Sequence, residues 1–436
     1  MKYFPFLAIM IIILIITGCV QSENQVSKGS TNKKPAESQA VPLWSFTIPD
    51  GEVNSVAMSA DGQYVAVGSG NNLGYMIYFL SFDGKILWNY TSKCYGQDFG
   101  FGEVIDVSSD GQKVIVGACD KIIYFSREGK QRTEFYEGNT NYHYAVSENG
   151  QYIFAAGLSS QQKCGSTFAG GDITSIYYAE DVCSYPGTIL LYDGFNGKTI
   201  WNYTKGFEEE FSDVTMAPDG QYMAAGSNYR KVYYFSRDKE LWNYRTKDPV
   251  NSIAISSDGQ YVAAGTSASE VYLLSKEGKL LWNYTTYHTM RTGYLGVGAD
   301  RKSYTIPDTF PVSVAVSPDG QNVFVGDVYK DENDNVYSEV YYLSRDGKLL
   351  KSFRSDVTST SVEGIVVSSN GQYLIAMTDG KVYYLSIDGE LLWSRYVGWV
   401  GDLHAAVSSD GQFVVLGDNQ RYGHSKVHYF SRVGTK

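Results

Sequence analysis

The chain has 436 residues and a formal charge of -11, with 37 Tyr and 45 Gly against 10 Pro. An excess of acidic over basic residues argues against a nucleic-acid partner, because proteins neutralise phosphates with Lys and Arg. Aromatic residues favour pleated strands and Gly marks turns, and no long stretch repeats apolar residues at helical spacing. The composition therefore predicts an all-β protein.

The N-terminus has the pattern of an export signal. Residues 1–18, MKYFPFLAIMIIILIITG, place one Lys before an apolar run that is short for a membrane span of about 20 residues. The following Ile16–Cys19 resembles a lipobox, which implies that residues 1–18 are a lipoprotein signal peptide and that Cys19 is acylated. An uncleaved signal anchor is the alternative. Both place the protein outside the cytoplasm, anchored to a membrane.

Residues 19–42 are polar and have little to bury, so they are predicted to form a disordered tether. The remaining residues, 43–436, are predicted to form one folded domain.

That domain is built from a repeat. A tripeptide Asp/Asn-Gly-Gln lies between an alternating apolar run such as VSVAVSP and a second run such as YVAVG, which is typical of a β-hairpin. The eight copies begin at Asp61, Asp110, Asn149, Asp219, Asp258, Asp319, Asn370 and Asp410.

A second hairpin follows in most copies, as in VYLLSKEGKLLWNY at 271–284. Four short strands, A to D, that repeat at about 40 residues indicate the blade of a β-propeller. Strand D carries an aromatic residue at Trp44, Trp88, Phe135, Trp201, Trp242, Trp282, Phe353 and Trp393.

The first and last repeats complement each other. No strand D follows the last unit, whereas an unassigned strand, 43–47, precedes the first. Pairing the two would remove an exposed sheet edge. We therefore predict an eight-bladed β-propeller of four-stranded antiparallel blades, in which the N-terminal strand 43–47 completes the last blade.

Two segments also resemble known propeller families. LLYDGFNGKTIWNY at 190–203 resembles the repeat of quinoprotein-type propellers, and SVAVSPDGQNVFVG at 313–326 resembles the first hairpin of WD40-type blades. The resemblance covers residues 43–436. It implies a propeller fold and does not specify a function.

The insertions all fall on one predicted face. Segments 158–187, 287–310 and 327–339 lie in B–C or D–A connections, whereas the A–B turns are uniform. Functional residues concentrate on variable loops held by a rigid scaffold, so this face is the predicted working surface. The alternative is that surface loops simply tolerate insertion.

Four cysteines remain after Cys19, and an exported protein can oxidise them. We predict the disulfides Cys94–Cys119 and Cys164–Cys183, because the members of each pair lie on one face and close in sequence. The other connectivities stay open.

Polar residues cluster where the innermost strands begin, at one mouth of the predicted channel. Two His together with carboxylates suit a cation or a small polar ligand, and a hydrated wall without a ligand is the alternative. The candidates are Asn54, Glu103, His143, Asp213, Glu363, Asp402 and His404.

Two acidic segments are further candidate sites. Asp331, Asn333 and Asn335 alternate like the start of a calcium loop, but the Gly and distal Glu of an EF-hand are absent. A solvated loop is the preferred interpretation, and no cofactor is expected. The run Glu208–Glu210 is likewise predicted to be a solvated turn.

Three Asn-x-Thr sequons recur in strand D, at Asn89, Asn202 and Asn283. Strand D is the outermost strand of a blade, so these Asn are expected to face solvent. Whether they carry glycans depends on the host.

These observations favour a monomeric, non-enzymatic binding or scaffold module for protein or glycan partners at the cell surface. The alternatives are a quinone-dependent (PQQ-type) dehydrogenase and an assembly factor for envelope proteins. The dehydrogenase is disfavoured, because that class uses an adjacent Cys pair and this chain has none. No hydrolase motif of the GxSxG or HExxH type is present.

Overall fold

A computed structural model describes most of the domain, and its regular elements are all β-strands. The described residues are 40–49, 51–71, 74–92, 104–118, 121–136, 143–158, 163–166, 181–184, 187–204, 209–286, 290–295, 302–307, 312–331, 333, 335–359, 361–397, 403–419 and 424–432. Over these residues, no helix has the length and apolar character needed to cross a bilayer.

The Asp-Gly-Gln turn explains why each A–B hairpin forms. In the first copy, Asp61 Oδ1 accepts hydrogen bonds from Ser59 Oγ at 2.7 Å and from the Gln63 N–H at 2.9 Å. The Tyr64 N–H donates to Ser59 Oγ at 3.0 Å. Gly62 has a φ of 72°, a left-handed conformation that glycine adopts without steric cost. The tripeptide thus supplies the side-chain acceptor and the backbone freedom that the turn needs.

The strands are numbered in chain order. After β1 (Trp44–Thr47), blade 1 contains β2 (Glu52–Met58), β3 (Tyr64–Asn71), β4 (Gly74–Ser81) and β5 (Ile86–Ser92), and blade 2 contains β6 (Val104–Val107), β7 (Lys113–Ala118), β8 (Lys121–Ser126) and β9 (Gln131–Tyr136). Blade 3 contains β10 (His143–Val146), β11 (Tyr152–Leu158), β14 (Gly187–Asp193) and β15 (Thr199–Thr204), and its insertion carries β12 (Lys163–Ser166) and β13 (Asp181–Ser184). Blade 4 contains β16 (Phe211–Met216), β17 (Tyr222–Ser227), β18 (Lys231–Ser236) and β19 (Glu240–Arg245), and blade 5 contains β20 (Val250–Ile255), β21 (Tyr261–Thr266), β22 (Glu270–Ser275) and β23 (Leu280–Thr285).

The second half follows the same order. Between blades 5 and 6 lie β24 (Met290–Leu295) and β25 (Lys302–Pro307), and blade 6 contains β26 (Ser313–Val316), β27 (Asn322–Lys330), β28 (Val336–Ser344) and β29 (Leu349–Thr358). Blade 7 contains β30 (Val362–Val367), β31 (Tyr373–Thr378), β32 (Lys381–Ser386) and β33 (Leu391–Tyr396), and blade 8 contains β34 (His404–Val407), β35 (Phe413–Asp418) and β36 (Lys426–Ser431) together with β1.

The blades close into a ring, which confirms the predicted eight-bladed propeller. The innermost strand of each blade contacts that of the next, and β34 contacts β2 to complete the circle. The first strand pairs antiparallel with the last, with Trp44 opposite Tyr429 and Thr47 opposite Lys426. The chain is already packed at Ala40, which is buried and whose N–H donates to the Ser394 carbonyl.

The hydrophobic core is divided among the seams between blades. Each of eight buried clusters draws residues from two neighbouring sheets, and together they cover all eight seams, including the seam between blades 8 and 1. This division follows from the strand pattern: both faces of each inner strand pack against a neighbour, so runs such as VYYF are apolar throughout. The ring is held together by its seams.

The insertions differ in structure. Those at 158–187 and 287–310 carry separate two-stranded ribbons, β12–β13 and β24–β25. The segment 327–339 instead lengthens β27 and β28 to nine residues each, because buried side chains such as Val328 continue the strand pattern.

Candidate functional site

The face that carries the A–B and C–D turns, which we call the turn face, shows the same contact between neighbouring blades at several seams. Tyr222 of blade 4 lies against Gly259 of the next A–B turn, where an added Cβ would approach the ring to 2.5 Å. Lys276 of the next C–D turn places Nζ 4.0 Å from the centroid of the same ring. Such a Tyr, covered by an Arg of the next blade, recurs at Tyr64, Tyr152, Tyr261 and Tyr373.

The strand D tryptophans add a second contact on this face. Trp88 donates from Nε1 to the Arg127 carbonyl of the next C–D turn at 2.8 Å. Trp44 makes the equivalent bond to Phe82 of blade 1 at 2.7 Å, and the same bond recurs at Trp242 and Trp282. The recurring Tyr, Gly and Trp residues of the repeat therefore hold neighbouring blades together.

Trp201 and Trp393 lack this bond, and for Trp201 the cause is local. Its indole Nε1 is buried and has no hydrogen-bond partner. The facing C–D turn of blade 4 closes with a bond from the Ser236 N–H to the Lys239 carbonyl, one residue earlier than in blades 1, 2, 5, 6 and 7, and contains no Gly. The shortened turn leaves the indole without the usual acceptor.

The opposite face, which we call the insertion face, holds the B–C turns, the D–A connections and both ribbons. Its seams carry ion pairs that sequence reasoning missed. Lys381 Nζ lies 2.7 Å from Asp356 Oδ1, and the Tyr383 hydroxyl donates to the same oxygen at 2.7 Å. Burial would raise the pKa of Asp356, but hydrogen bonds from Lys381 and Tyr383 outweigh it and hold that pKa below its usual range.

The same kind of network recurs with different charges. Between blades 3 and 4, Lys231 Nζ lies 2.8 Å from Glu209 Oε2, and Ser227 Oγ donates to Glu209 Oε1 at 2.9 Å. Glu209 is only 6% exposed, so the prediction that Glu208–Glu210 is simply a solvated turn was wrong at its central residue. A buried carboxylate is stable there because a cation and a hydroxyl satisfy it.

At the channel mouth, the polar residues link neighbouring strands. Asp213 Oδ2 accepts the N–H of Ile253 in the next blade at 2.8 Å. Ser55 and Ser252, at the matching position, accept the N–H of Ile105 and of Val314, each at 3.2 Å. These side chains therefore tie the innermost strands of blades 1, 4 and 5 to the strand of the next blade.

Two carboxyls on these strands have altered acidity. Burial raises the pKa of Asp213 to about 7 against the opposing effect of hydrogen bonds from Ile253 and Val214, and raises the pKa of Asp106 to about 7. His143 lies on the intervening blade, and burial lowers its pKa against the opposing charge of Glu210. Among the residues that the structure describes, no three His, Cys, Asp or Glu side chains are placed to hold a metal ion.

The other candidate residues of the channel mouth lie on different, neighbouring strands. Glu363 Oε2 accepts the Leu403 N–H at 3.0 Å, linking blade 7 to blade 8. His404 begins β34 and Asn54 lies on the adjacent β2. Glu103 and Asp402 lie outside the described residues. The channel mouth as a ligand site stays a prediction.

The candidate calcium loop uses its carboxylate internally. Asp331 Oδ1 accepts the N–H groups of Asn333 at 2.8 Å and Asn335 at 2.9 Å, and Oδ2 accepts from Asn335 Nδ2 at 3.0 Å. Asp331 thereby closes the turn between β27 and β28.

Several predicted modification sites are only partly described. Cys164 lies directly opposite Cys183 in the β12–β13 ribbon, and opposed residues of antiparallel strands have Cα separations that suit a disulfide. That disulfide stays a prediction, and Cys19, Cys94 and Cys119 lie outside the described residues. The sequon residues Asn89, Asn202 and Asn283 are all exposed on the outermost strands, as expected.

A cleft of about 370 Å³ opens on the insertion face over the B–C turn of blade 4. Its lining contains three cations, Arg230, Lys231 and Arg245, and a single carboxylate, that of Glu209. Tyr229 and Pro249 form its less polar wall. Of the residues that the sequence analysis singled out, Glu209 alone lies in the cleft. The lining side chains come from D–A connections, a B–C turn and the end of a strand D, so sequence alone could not group them.

Comparisons with known proteins agree with the fold. The profile described as "Family of unknown function (DUF5711)" matches residues 159–436, more than half of the chain. The profile of the WD domain, G-beta repeat, matches residues 40–73. No curated protein matches the chain in sequence.

Solved structures resemble it as well. The crystal structure of Chaetomium thermophilum Sqt1, bound to the N-terminus of the ribosomal protein L10, superposes with a TM-score of 0.63 at 13% identity, over 90% of this chain and 100% of that one. Such low identity establishes the fold alone. Together these findings confirm a WD40-like β-propeller.

Proposed function

This chain belongs to DUF5711, a family of unknown function, and we propose that it is a non-catalytic binding module that recognises a protein partner through its insertion face. WD40-like propellers in general bind proteins, which supports this class of function. The Sqt1 propeller was solved with the N-terminus of a ribosomal protein bound to it, which illustrates the mode of action in a protein of similar fold.

One observation carries the proposal: the two faces of the ring are used differently. On the turn face, a Tyr, a Gly and a cation interlock at seam after seam, so those side chains are committed to the fold. The insertion face carries two extra ribbons and a cationic cleft that the ring does not need for closure. Variable elements on a rigid scaffold are where recognition residues concentrate.

We further propose that the propeller is exported and anchored through acylated Cys19, with the following polar segment as a tether. The quinone-dependent alternative would need an adjacent Cys pair, which the sequence lacks. A role in assembling envelope proteins would be a narrower form of the same binding function. Glycans are the second class of ligand that we propose to test for binding to the insertion face.

The face assignment can be tested with a matched pair of exposed aromatic residues. Tyr229 on the insertion face is 45% exposed, and Phe82 on the turn face is 51% exposed. A photo-crosslinking amino acid placed at each position in living cells should capture a discrete protein at 229 and none at 82. Equal adducts at both positions, or adducts at 82 alone, would contradict the proposal.

Anchoring is tested separately. Metabolic labelling with an alkyne fatty acid should label the full chain, and Cys19→Ser should lose the label without changing the thermal unfolding of the protein. Labelling that persists in Cys19→Ser would reject the anchor.

A further inference from the structure

We propose that the cleft over the B–C turn of blade 4 binds an acidic segment of a protein partner, with Arg230 and Arg245 holding its carboxylates. The inference rests on the proposed function and names the partner chemistry of one part of the insertion face. Guanidinium groups suit this role because their planar donors match a carboxylate in a bidentate geometry.

The charge in the cleft is the first argument. The chain as a whole carries -11, yet three cations line this cleft with a single carboxylate. That carboxylate, Glu209, is already bonded to Lys231 and Ser227. In the described part of the chain, neither Arg230 nor Arg245 forms an ion pair, and both side chains are exposed. Positive charge therefore remains for a ligand.

Strand register is the second argument. Arg245 lies directly opposite Lys231 in the β18–β19 pair. Like charges at opposed positions destabilise a sheet. The corresponding pairs in blades 5, 6 and 7 are Glu270 with Thr285, Glu339 with Arg354, and Lys381 with Tyr396. Blade 4 thus opposes two cations where those blades do not. Since Glu209 already pairs with Lys231, an anion at Arg245 would balance the remaining charge.

The backbone of the turn is the third argument. Arg230 has a φ of 66°, in the left-handed region that favours glycine, and blade 7 has Gly380 at φ 78° in the equivalent turn. Ser269 holds the same position in blade 5 at a φ of 55°, so this conformation belongs to the repeated B–C turn, and in blade 4 the turn presents an Arg. The turn is fixed on both sides, because the Asn228 N–H donates to the Glu210 carbonyl and the Thr246 N–H donates to the Arg230 carbonyl, each at 2.9 Å. The cation is therefore presented from a rigid base.

A peptide fits the cleft better than a small anion. Tyr229 and Pro249 border the cations and offer apolar surface to the chain between carboxylates. Aromatic and Arg side chains are the residues enriched at protein interfaces. The volume of about 370 Å³ also exceeds what a single carboxylate needs.

Binding can be measured by fluorescence anisotropy with a labelled peptide of alternating Asp and Leu. The controls are its Asn analogue and inorganic phosphate as competitor. We expect the Asp peptide to bind with an affinity that falls as NaCl rises, and the Asn peptide to bind at least ~10-fold more weakly. The double variant Arg230→Gly and Arg245→Gln should weaken the Asp peptide ~10-fold or more, since it removes two charge-assisted contacts.

The matched control removes the same charge elsewhere. Lys130 and Lys348 are exposed on the turn face, and Lys130→Gln with Lys348→Gln should change affinity less than ~2-fold. Equal losses in both double variants would overturn the site, because they would indicate a general field effect. Full competition by millimolar phosphate, with no preference for Asp over Asn, would overturn the peptide assignment.

Photo-crosslinking through position 229 separates this inference from the proposed function. If the double variant still captures the same partner as the wild type, the acidic-segment assignment fails and the binding function stands. If the wild-type protein captures nothing from the insertion face, the proposed function itself fails.

Discussion

At the scale of single residues, the strand D tryptophans show that one residue type can have two environments. The indole N–H of Trp44 reaches the Phe82 carbonyl of blade 1, whereas that of Trp201 is buried without an acceptor. A hydrogen bond contributes about 1 kcal/mol, and an unsatisfied buried donor costs a comparable amount. Replacing the Trp with Phe should therefore change the free energy of unfolding differently at the two positions.

We predict that Trp44→Phe lowers the free energy of unfolding by about 1 kcal/mol and that Trp201→Phe leaves it unchanged or raises it slightly. Urea denaturation of both variants beside the wild type measures the difference. Equal destabilisation would mean that ring volume, and not the N–H bond, sets the contribution.

The channel carboxyls predict a dependence of stability on pH. The pKa of Asp106 is about 7 in the folded protein and near 3.8 when unfolded, so the folded state alone holds the proton between these values. Stability from this group is present below the unfolded pKa and is lost as pH rises through the folded pKa. Its side chain retains partial exposure, so the loss should be about 1–2 kcal/mol.

Asp106→Asn mimics the protonated form and should remove this loss, raising stability at pH 8 relative to wild type while changing little at pH 4. Denaturation curves across that range measure it, with the exposed Asp346→Asn as the control. A parallel shift at all pH values would show that the effect is not titration of Asp106.

At the scale of elements, the A–B turns act both within a blade and between blades. Gly220 and Gly371 have similar positive φ values, 67° and 70°, so Ala strains both backbones alike. An added Cβ would lie 2.6 Å from the Tyr152 ring at Gly220 but 3.3 Å from Pro318 at Gly371. Comparing Ala substitutions at these two glycines therefore separates the effect of packing between blades from the effect of backbone strain in the turn.

Gly220→Ala should therefore lower the unfolding free energy by about 1–3 kcal/mol more than Gly371→Ala. Thermal and urea unfolding provide the measurement. Equal losses would indicate that the Tyr ring moves aside freely.

At the scale of the whole molecule, the ring depends on the strand that joins its two ends. Trp44 stacks on Tyr429 with centroids 5.1 Å apart, and Ile48 is fully buried in the seam between blades 8 and 1. Removing residues 20–47 would expose β36 as a sheet edge, which invites pairing with another chain.

We predict that this deletion lowers the midpoint of thermal unfolding by more than about 5 °C and yields oligomers on size-exclusion chromatography. The matched deletion of residues 20–38 stops short of Ala40 and should change neither. Unchanged stability in the longer deletion would show that the ring does not rely on β1.

The fold could be predicted from sequence because each hairpin repeats the same local chemistry. The turn at Asp61 and the aromatic at Trp88 recur, and two counts of eight agreed on the closure. The candidate site could not be predicted in the same way. Lys231 and Arg245 meet only through strand register, and Glu209 is buried by a neighbouring blade, so no local pattern grouped them.

The closure of blade 8 also sets an order of events for the growing chain. Ser45 Oγ and His428 Nδ1 lie 2.7 Å apart although 383 residues separate them in sequence. Strand β1 is synthesised before all other strands, and it has no pairing partner until β36, the last strand, has been synthesised. The ring therefore stays open, and its final seam can form only after almost the entire polypeptide has been synthesised.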